Sequence, residues 1–430
     1  MNRFYSSLSA LIVVFFCLTE VNAQPLDISR WDGGTALTPG QGYGMGNPLT
    51  LTWGFAAVNT SIPSFGVGPN GNNNLIARMD AIYGSGPGGS DLTQRPWFGL
   101  YQSTFDRWSA VSGMSYIYEA ADDGVAFSGT NSAGNRGVLN VRADVRIGGR
   151  NIDGNSNILA FNFFPNVGDM VIDTNDNFYN TTTNNSRRLR NVVAHEHGHG
   201  LGMEHVETAA TARQLMNPSA DTSFDGPQHH DILMAHRGYG DFFEKGSGGL
   251  GNDVVARATD LGTLNNGGTI SLGDSARTFA VAGDATDFVS IDHSNDTDFW
   301  SLTVNSGGTI DLLVESLGFT YTANSASFNT KQRSDLSLAL FDTNGTTLLS
   351  LANGTGLGGN ESINFNLATA GTYFVRVTGA NNPDTVAIKT QFYGLTANFT
   401  AVPEPTSGAI LFAVGSLVML RRNRRAAVQR

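Results

Sequence analysis

Cysteine is nearly absent: the only one among 430 residues is Cys17. The folded part of the chain therefore has no disulfide framework and is held by packing and bound ions. Charge is sparse, 15% of residues, and leans acidic, for a net −11. That balance repels nucleic acid and suits divalent cations, so no nucleic-acid partner is expected. Histidine is rare, with 8 residues in all, which makes any cluster of it informative. Long apolar runs occur only near the two ends. What is plentiful is glycine, 52 residues, with Asn, Thr and Ser crowding the second half. This composition belongs to β-rich, loop-rich extracellular folds rather than to a helical cytosolic enzyme. A chain of this length exceeds one ordinary core, and two folded domains with terminal extensions are expected.

Residues 1–23 read as a secretory signal. Arg3 stands in a short basic start, an apolar run from Leu8 to Leu18 includes Cys17, and Val21-Asn22-Ala23 forms a small-residue cleavage site. At the other end, residues 402–430 hold Val402-Pro403-Glu404-Pro405, an apolar run from Thr406 to Leu420, and Arg421-Arg422-Asn423-Arg424-Arg425. The run makes a short transmembrane segment with its Arg cluster on the cytoplasmic side. This ending resembles the PEP-CTERM sorting signals of bacteria. The resemblance implies an exosortase-type sorting machinery as partner and a secreted or cell-surface location, with membrane contact only through this segment. A plain membrane anchor is the other reading.

The stretch that organises the chain is His195-Glu196-His197-Gly198-His199-Gly200-Leu201-Gly202-Met203-Glu204-His205. His195 and His199 are four apart, so on a helix their rings stand one turn above the other and reach one ion. Glu196 follows the first ligand, where its carboxylate can take a proton from a water beside the metal. Gly202 can end the helix in a left-handed conformation and turn the chain back, bringing His205 to the same ion. Three protein ligands and one open position make a catalytic zinc site rather than a closed structural one. Composition alone gives a chance meeting of these residues a likelihood on the order of 10⁻⁵. His197 falls on another face and reads as a solvated or packing residue.

These residues resemble the metzincin zinc signature, and the sequence after them resembles its matrixin branch. Leu215-Met216-Asn217-Pro218 stands where that group has its Met turn, so Met216 is expected to floor the imidazoles. The resemblance runs from about Leu49 to Gly240 and implies one catalytic zinc. It also implies structural calcium. Ile152-Asp153-Gly154-Asn155-Ser156-Asn157-Ile158-Leu159-Ala160 matches the calcium loop and edge strand, and Asp173 and Asp176 match the later acidic ligands; solvated loop carboxylates are the plainer reading. Asp144 and Asp169 are weaker candidates for a second calcium. Phe161 and Val171 replace the histidines of the family's structural zinc. No cysteine-bearing propeptide is present. Leu159 and Ala160 would border the cleft as an exposed edge onto which a substrate polypeptide docks by strand addition. The wall of a side-chain pocket is expected near Pro218 to Ser223, and Asp231 matches the residue that supports the Met turn.

The rest of the chain fits around this. Residues 24–45 are an N-terminal extension and 46–240 the metallopeptidase domain. Leu49 to Phe55 alternates as a half-buried strand, and Phe98, Tyr101, Phe105 and Trp108 form the core face of a helix. Leu139, Val141, Ala143, Val145 and Ile147 alternate as a strand with one wet face. The zinc helix starts near Ser186, and a last helix spans roughly Gln228 to Arg237. His229, His230 and His236 on it could invite a second metal site, but the two adjacent histidines diverge on a helix and are expected at the surface. Residues 241–251 read as a Gly-rich linker. Residues 252–399 are all β, with strands at Phe299–Val304, Leu336–Phe341 and Thr372–Val377. Asn295-Asp296-Thr297-Asp298-Phe299-Trp300 and Ala370-Gly371-Thr372-Tyr373-Phe374 resemble the bacterial pre-peptidase C-terminal domain. Asp296 and Asp298 are calcium candidates or plain turn carboxylates.

The expected fold class is α+β: a matrixin-like catalytic domain, a twisted mixed sheet with three main helices, followed by an all-β sandwich. The expected function is that of a secreted zinc metalloendopeptidase with Glu196 as general base, acting as a monomer. Two other readings stay open: a cell-surface adhesion or extracellular-matrix-binding protein using the peptidase fold as scaffold, and a zinc hydrolase of non-peptide esters or amides.

Overall fold

The computed structural model describes residues 28–130, 136–155, 157–208, 213–293, 295–379 and 390–402. The signal at 1–23, nearly all of the C-terminal signal and Ser156 of the calcium-type loop lie outside the described residues. No described helix is long and apolar enough to cross a membrane.

The first half is built on a five-stranded sheet. After β1 (Leu49–Phe55) come the short hairpin β2 (Ser61–Ile62) and β3 (Gly71–Asn72), helix α1 (Leu75–Tyr83), helix α2 (Phe98–Ala110) and β4 (Met114–Tyr118). Then follow β5 (Val145–Arg150), β6 (Ala160–Asn162), β7 (Met170–Asp173), α3 (Thr183–Gly200) and α4 (His229–Tyr239). The sheet order is β4-β1-β5-β7-β6. All neighbours are parallel except β6, which runs antiparallel at the edge. This is a mixed sheet with the three expected helices and a fourth, α1, that the reading did not contain.

The aromatic stripe of α2 packs as expected. Tyr101, Phe105 and Trp108 are fully buried, and Phe105 stacks on Trp53 of β1 with ring centroids 4.5 Å apart. Two strand expectations need correcting. β1 is buried along nearly its whole length rather than half-wet, because it lies between β4 and β5. The alternation from Leu139 to Ile147 becomes a strand only at Val145: Asn140 takes a left-handed φ of 62°, and a tight bridge between Val138 and Arg142 turns the chain there. β5 has no wet face, since its polar side chains are used internally. Arg146 pairs with Asp122 at 2.7 Å and lies against the Phe127 ring at 4.7 Å, and Arg150 donates to the carbonyls of Pro63, Ser64 and Val67.

The second half is a β-sandwich. One sheet contains β9 (Thr269–Leu272), β10 (Val289–Ile291), β12 (Gly308–Ser316), β17 (Asn360–Leu367) and β19 (Gln391–Ala401). It has the order β10-β19-β12-β17, with β9 also on β19. The other contains β8 (Thr259–Thr263), β11 (Thr297–Val304), β15 (Leu336–Phe341), β16 (Leu348–Ala352) and β18 (Gly371–Gly379), in the order β16-β15-β18-β11-β8. Trp300, Leu302, Leu338, Val375, Tyr393 and Leu395 fill the space between them. A separate hairpin, β13 (Thr320–Ala323) and β14 (Ala326–Asn329), leaves the sandwich toward the first half.

Two further corrections concern the seam. The 24–45 extension, where described, is part of the catalytic core: Ile28 and Trp31 are buried with it. The 241–251 stretch is no free linker at its start. Asp241 is fully buried, accepts from Ser290 N at 3.0 Å and donates through its own N–H to Asp292, while Phe243 packs on Trp300 at 4.9 Å. One apolar core runs from the zinc-type helix across this seam to Phe288, Leu317, Tyr321, Ala323, Phe328 and Phe392.

Candidate metal centre

Helix α3 opens with three residues in left-handed conformation, Asn184, Asn185 and Ser186, so its regular part begins at Arg187. Its buried face then carries Leu189, Val192 and Val193 into the core and ends on the histidines. Gly202 turns the chain with φ 100°, and a Cβ there would lie 1.6 Å from the Ser29 carbonyl oxygen. Only glycine fits this turn, and the turn delivers His205. The carbonyl end of the helix is tied down by aromatic donors: Trp31 Nε1 to Gly200 O at 2.8 Å, Tyr239 Oη to Leu201 O at 2.8 Å, and Trp108 Nε1 to Ala194 O at 3.2 Å. The sequence reading missed these supports, although Trp and Tyr, with one polar atom on an apolar body, are suited to the task.

The three imidazoles converge. His205 Nε2 lies 3.2 Å from His195 Nε2 and 3.1 Å from His199 Nε2. His195 Nδ1 lies 2.6 Å from Leu215 O, and His199 Nδ1 2.7 Å from Met203 O. A carbonyl only accepts, so both Nδ1 atoms carry the proton and both Nε2 atoms present lone pairs. His205 Nε2 can donate to one of them and not to both. At least one pair of lone pairs is therefore set face to face, an arrangement that a cation between the rings resolves. For a tetrahedral ion with bonds of about 2.0–2.1 Å, the edge between ligand nitrogens is about 3.3 Å, close to the spacing found. Burial pushes the His195 imidazole down to about 4; burial, with His195 alongside, takes His205 to about 3, and His199 is also lowered, first by burial. All three are neutral at pH 7, the form that binds metal.

Glu196 is fully buried, and among the described residues neither carboxylate oxygen has a hydrogen-bond partner. Burial pushes its carboxyl up to about 8. A nearby dication reverses such a shift. Met216 sits directly under the helix: a Cβ on Gly198 would lie 2.3 Å from its Sδ. Asp231 holds the Met turn, accepting from Leu215 N at 2.7 Å, Met216 N at 3.1 Å and Gln228 N at 2.8 Å. His197 is a packing residue, not a solvated one; its Nε2 meets Tyr116 Oη at 2.7 Å and its ring packs on Phe105.

Ala160 begins the edge strand β6 and Leu159 precedes it, while Phe164 beyond it packs against the His199 ring at 5.7 Å. The edge thus borders the triad. A small cavity beside His195 is lined by Phe178, Arg188, Leu215, Ala220 and Thr222; of these only Ala220 and Thr222 belong to the 218–223 stretch.

The acidic loop is different. Asp173 Oδ2 accepts from Asp153 N and Gly154 N, and Asp153 accepts from Asn157 N and Ile158 N. Asp176 accepts from Phe178 N as the cap of a short helical turn. The structure brings the three onto adjoining loops, but among the described residues they are not one of the two sets whose ligand atoms lie within 4.8 Å of one another. Asp144 clasps Ala36 and Thr52, and Asp169 accepts from Arg146 N, so the two are spent separately. Phe161 and Val171 face each other across β6 and β7 in an apolar cluster.

His229, His230 and His236 are wholly buried, contrary to the surface expectation. The sandwich covers the face of α4 that would otherwise be wet. His229 lies among Phe279, Phe319 and Phe392, His230 Nδ1 meets Tyr321 Oη at 2.5 Å, and His236 is held by Ser290 Oγ and Val111 O. Asp298 is not a turn carboxylate. It is buried on β11 and accepts from Tyr393 Oη at 2.6 Å.

A sheet-backed helix bearing two histidines, a glycine turn to a third and a methionine floor define a metallopeptidase-type centre. Residues 91–231 match the family model described as Matrixin, and residues 296–379 that described as Bacterial pre-peptidase C-terminal domain. The two matches lie in series, the first over the mixed-sheet half and the second over the sandwich, and fit a two-domain α+β arrangement. No curated protein matches the chain. Among solved structures, the pre-peptidase C-terminal domain of collagenase from Bacillus anthracis is similar at 15% identity, covering 33% of this chain and 96% of that chain with a TM-score of 0.20. PliG of Aeromonas hydrophila, a periplasmic inhibitor of g-type lysozyme, matches at 12% identity over 33% of this chain and 100% of its own, also with a TM-score of 0.20. A β-glucosidase from Paenibacillus barengoltzii matches at 9% identity over 34% of this chain and 12% of its own, with a TM-score of 0.19.

Proposed function

We propose that the chain is a secreted zinc-dependent endopeptidase. The observation that carries this reading is the convergence of three Nε2 atoms, two of them fixed as lone-pair donors to metal by backbone carbonyls, with a buried carboxylate next in sequence to the first ligand that has no hydrogen-bond partner among the described residues. His195, His199 and His205 would hold the ion, which when bound supplies a Lewis acid for the scissile carbonyl and for water. Glu196 removes a proton from the attacking water and returns it to the leaving amine. The edge strand at Leu159 and Ala160 pairs with the substrate backbone, and the pocket beside His195 sorts one side chain. The Asp153, Asp173 and Asp176 loops are read as a structural calcium site, and the C-terminal segment as the address for a sorting machinery at the bacterial surface.

An adhesion scaffold has no use for an orphaned carboxylate at this position, since burying one is costly. The test is Glu196→Ala, assayed for zinc content and for cleavage of casein. Zinc is expected to stay near one per molecule while cleavage falls by at least about 10³-fold. Full cleavage by that variant overturns the mechanism.

A further inference from the structure

We propose that the β13–β14 hairpin of the second domain is a positioning element of the metal centre, holding in place the loop that carries His205. This rests on the reading of the triad as metal ligands. The hairpin turns through Asn324 and Ser325, both left-handed at φ 48° and 65°, the geometry of a tight two-residue turn. Its tip is exposed, yet it is tied to the loop just beyond His205. Asn324 Oδ1 accepts from Glu207 N at 3.0 Å, and Asn324 N donates to Glu207 O at 2.9 Å. Ala323, fully buried, bridges Thr208.

Glu207 lies two residues beyond His205, and the same loop is pinned from within by Val206 N to Met216 O at 3.0 Å and Asn217 Nδ2 to Thr208 Oγ1 at 3.3 Å. The hairpin tip thus completes a clamp whose other jaw is the Met turn. Its base reaches the same place by another route, for Tyr321 Oη meets His230, the neighbour of the Asp231 that fixes Leu215 and Met216. His195 and His199 sit on a helix with its own hydrogen bonds. His205 sits on a loop, and its direction depends on what grips that loop. One backbone hydrogen bond, one to the Asn324 side chain and a β-bridge, all from another domain, supply that grip.

The test separates grip from folding. Asn324→Gly keeps the left-handed turn and removes the Oδ1 acceptor; Asn324→Asp keeps both. Metal-free full-length protein is titrated with Co²⁺ alone, read by visible absorption, and amide exchange is followed at Glu207 and Thr208. In Asn324→Gly, Co²⁺ affinity is expected to fall about 10-fold, with faster exchange at both amides and a lower kcat at nearly constant KM, while Asn324→Asp restores all three. Unchanged affinity and exchange in Asn324→Gly overturn the proposal. Failure of the wild type to take up Co²⁺ would count against the metal reading instead, and the exchange rates would still decide whether the hairpin grips the loop.

Discussion

Among the described residues, two sets of buried or half-buried ligand-type side chains bring their ligand atoms within 4.8 Å of one another: His195, His199 and His205 at the metal centre, and Glu244, Asp253 and Asp296 at the seam between the domains. The first set comes from one short stretch, and two of its rings are aimed by carbonyls behind them. The second is gathered from two stretches, Glu244 and Asp253 from one and Asp296 from another. Among the described residues Asp296 Oδ1 and Asp253 Oδ1 have no hydrogen-bond partner, and Arg257 stands 3.8 Å from Asp253. Burial drives the two sets in opposite senses of charge, yet both toward neutrality. The imidazoles are lowered, while Glu244 and Asp296 are raised by burial and by the carboxylates beside them. A neutral imidazole is already a ligand, whereas a protonated carboxyl is not. Convergence alone therefore does not make the two sites equivalent.

The largest expected difference is in metal content and activity. His199→Ala should lose zinc and at least about 10³-fold in cleavage, whereas Asp296→Asn should keep both. Equal zinc loss in the two variants would erase the distinction.

A smaller effect concerns stability against pH. A carboxyl raised in the folded state favours folding below its unfolded value near 4, and that contribution is lost as pH climbs through the raised value. In metal-free buffer, Asp296→Asn should match the wild type at pH 4 and exceed it by roughly 1–3 kcal/mol above pH 8, measured by urea unfolding. A wild type equally stable at both ends would mean that the seam is already neutralised.

The smallest effect is expected at the third acidic group. Asp153 and Asp173 already accept backbone N–H groups, so calcium there should add only about 1 kcal/mol. Calorimetry with and without Ca²⁺ in the Asp296→Asn background isolates it; an increment that survives Asp173→Ala belongs elsewhere.

Much of the metal centre could be read from the sequence because its ligands, base and turn lie within eleven residues, 195–205, where helical spacing pairs His195 with His199 and the glycine turn brings His205 to them. Met216 and Asp231 followed from the resemblance. The supports from Trp31 and Tyr239 were hidden, since nothing local ties residue 31 to residue 200. The same limit explains the histidines of α4. His229 and His230 point to different rings while His236 shares Phe392 with His229, and a second domain covering the far face leaves no mark within α4 itself. The strand alternation at 139–147 failed because one asparagine adopted a turn conformation in its middle.

The core that crosses the seam without a break has a thermodynamic consequence. Two regions that match separate family models share one body of apolar side chains, so neither can melt without exposing the inner surface of the other. Scanning calorimetry of the full chain should then record one endotherm, with a van't Hoff enthalpy equal to the calorimetric one, and a truncation at Gly240 should yield a protein that binds hydrophobic dye.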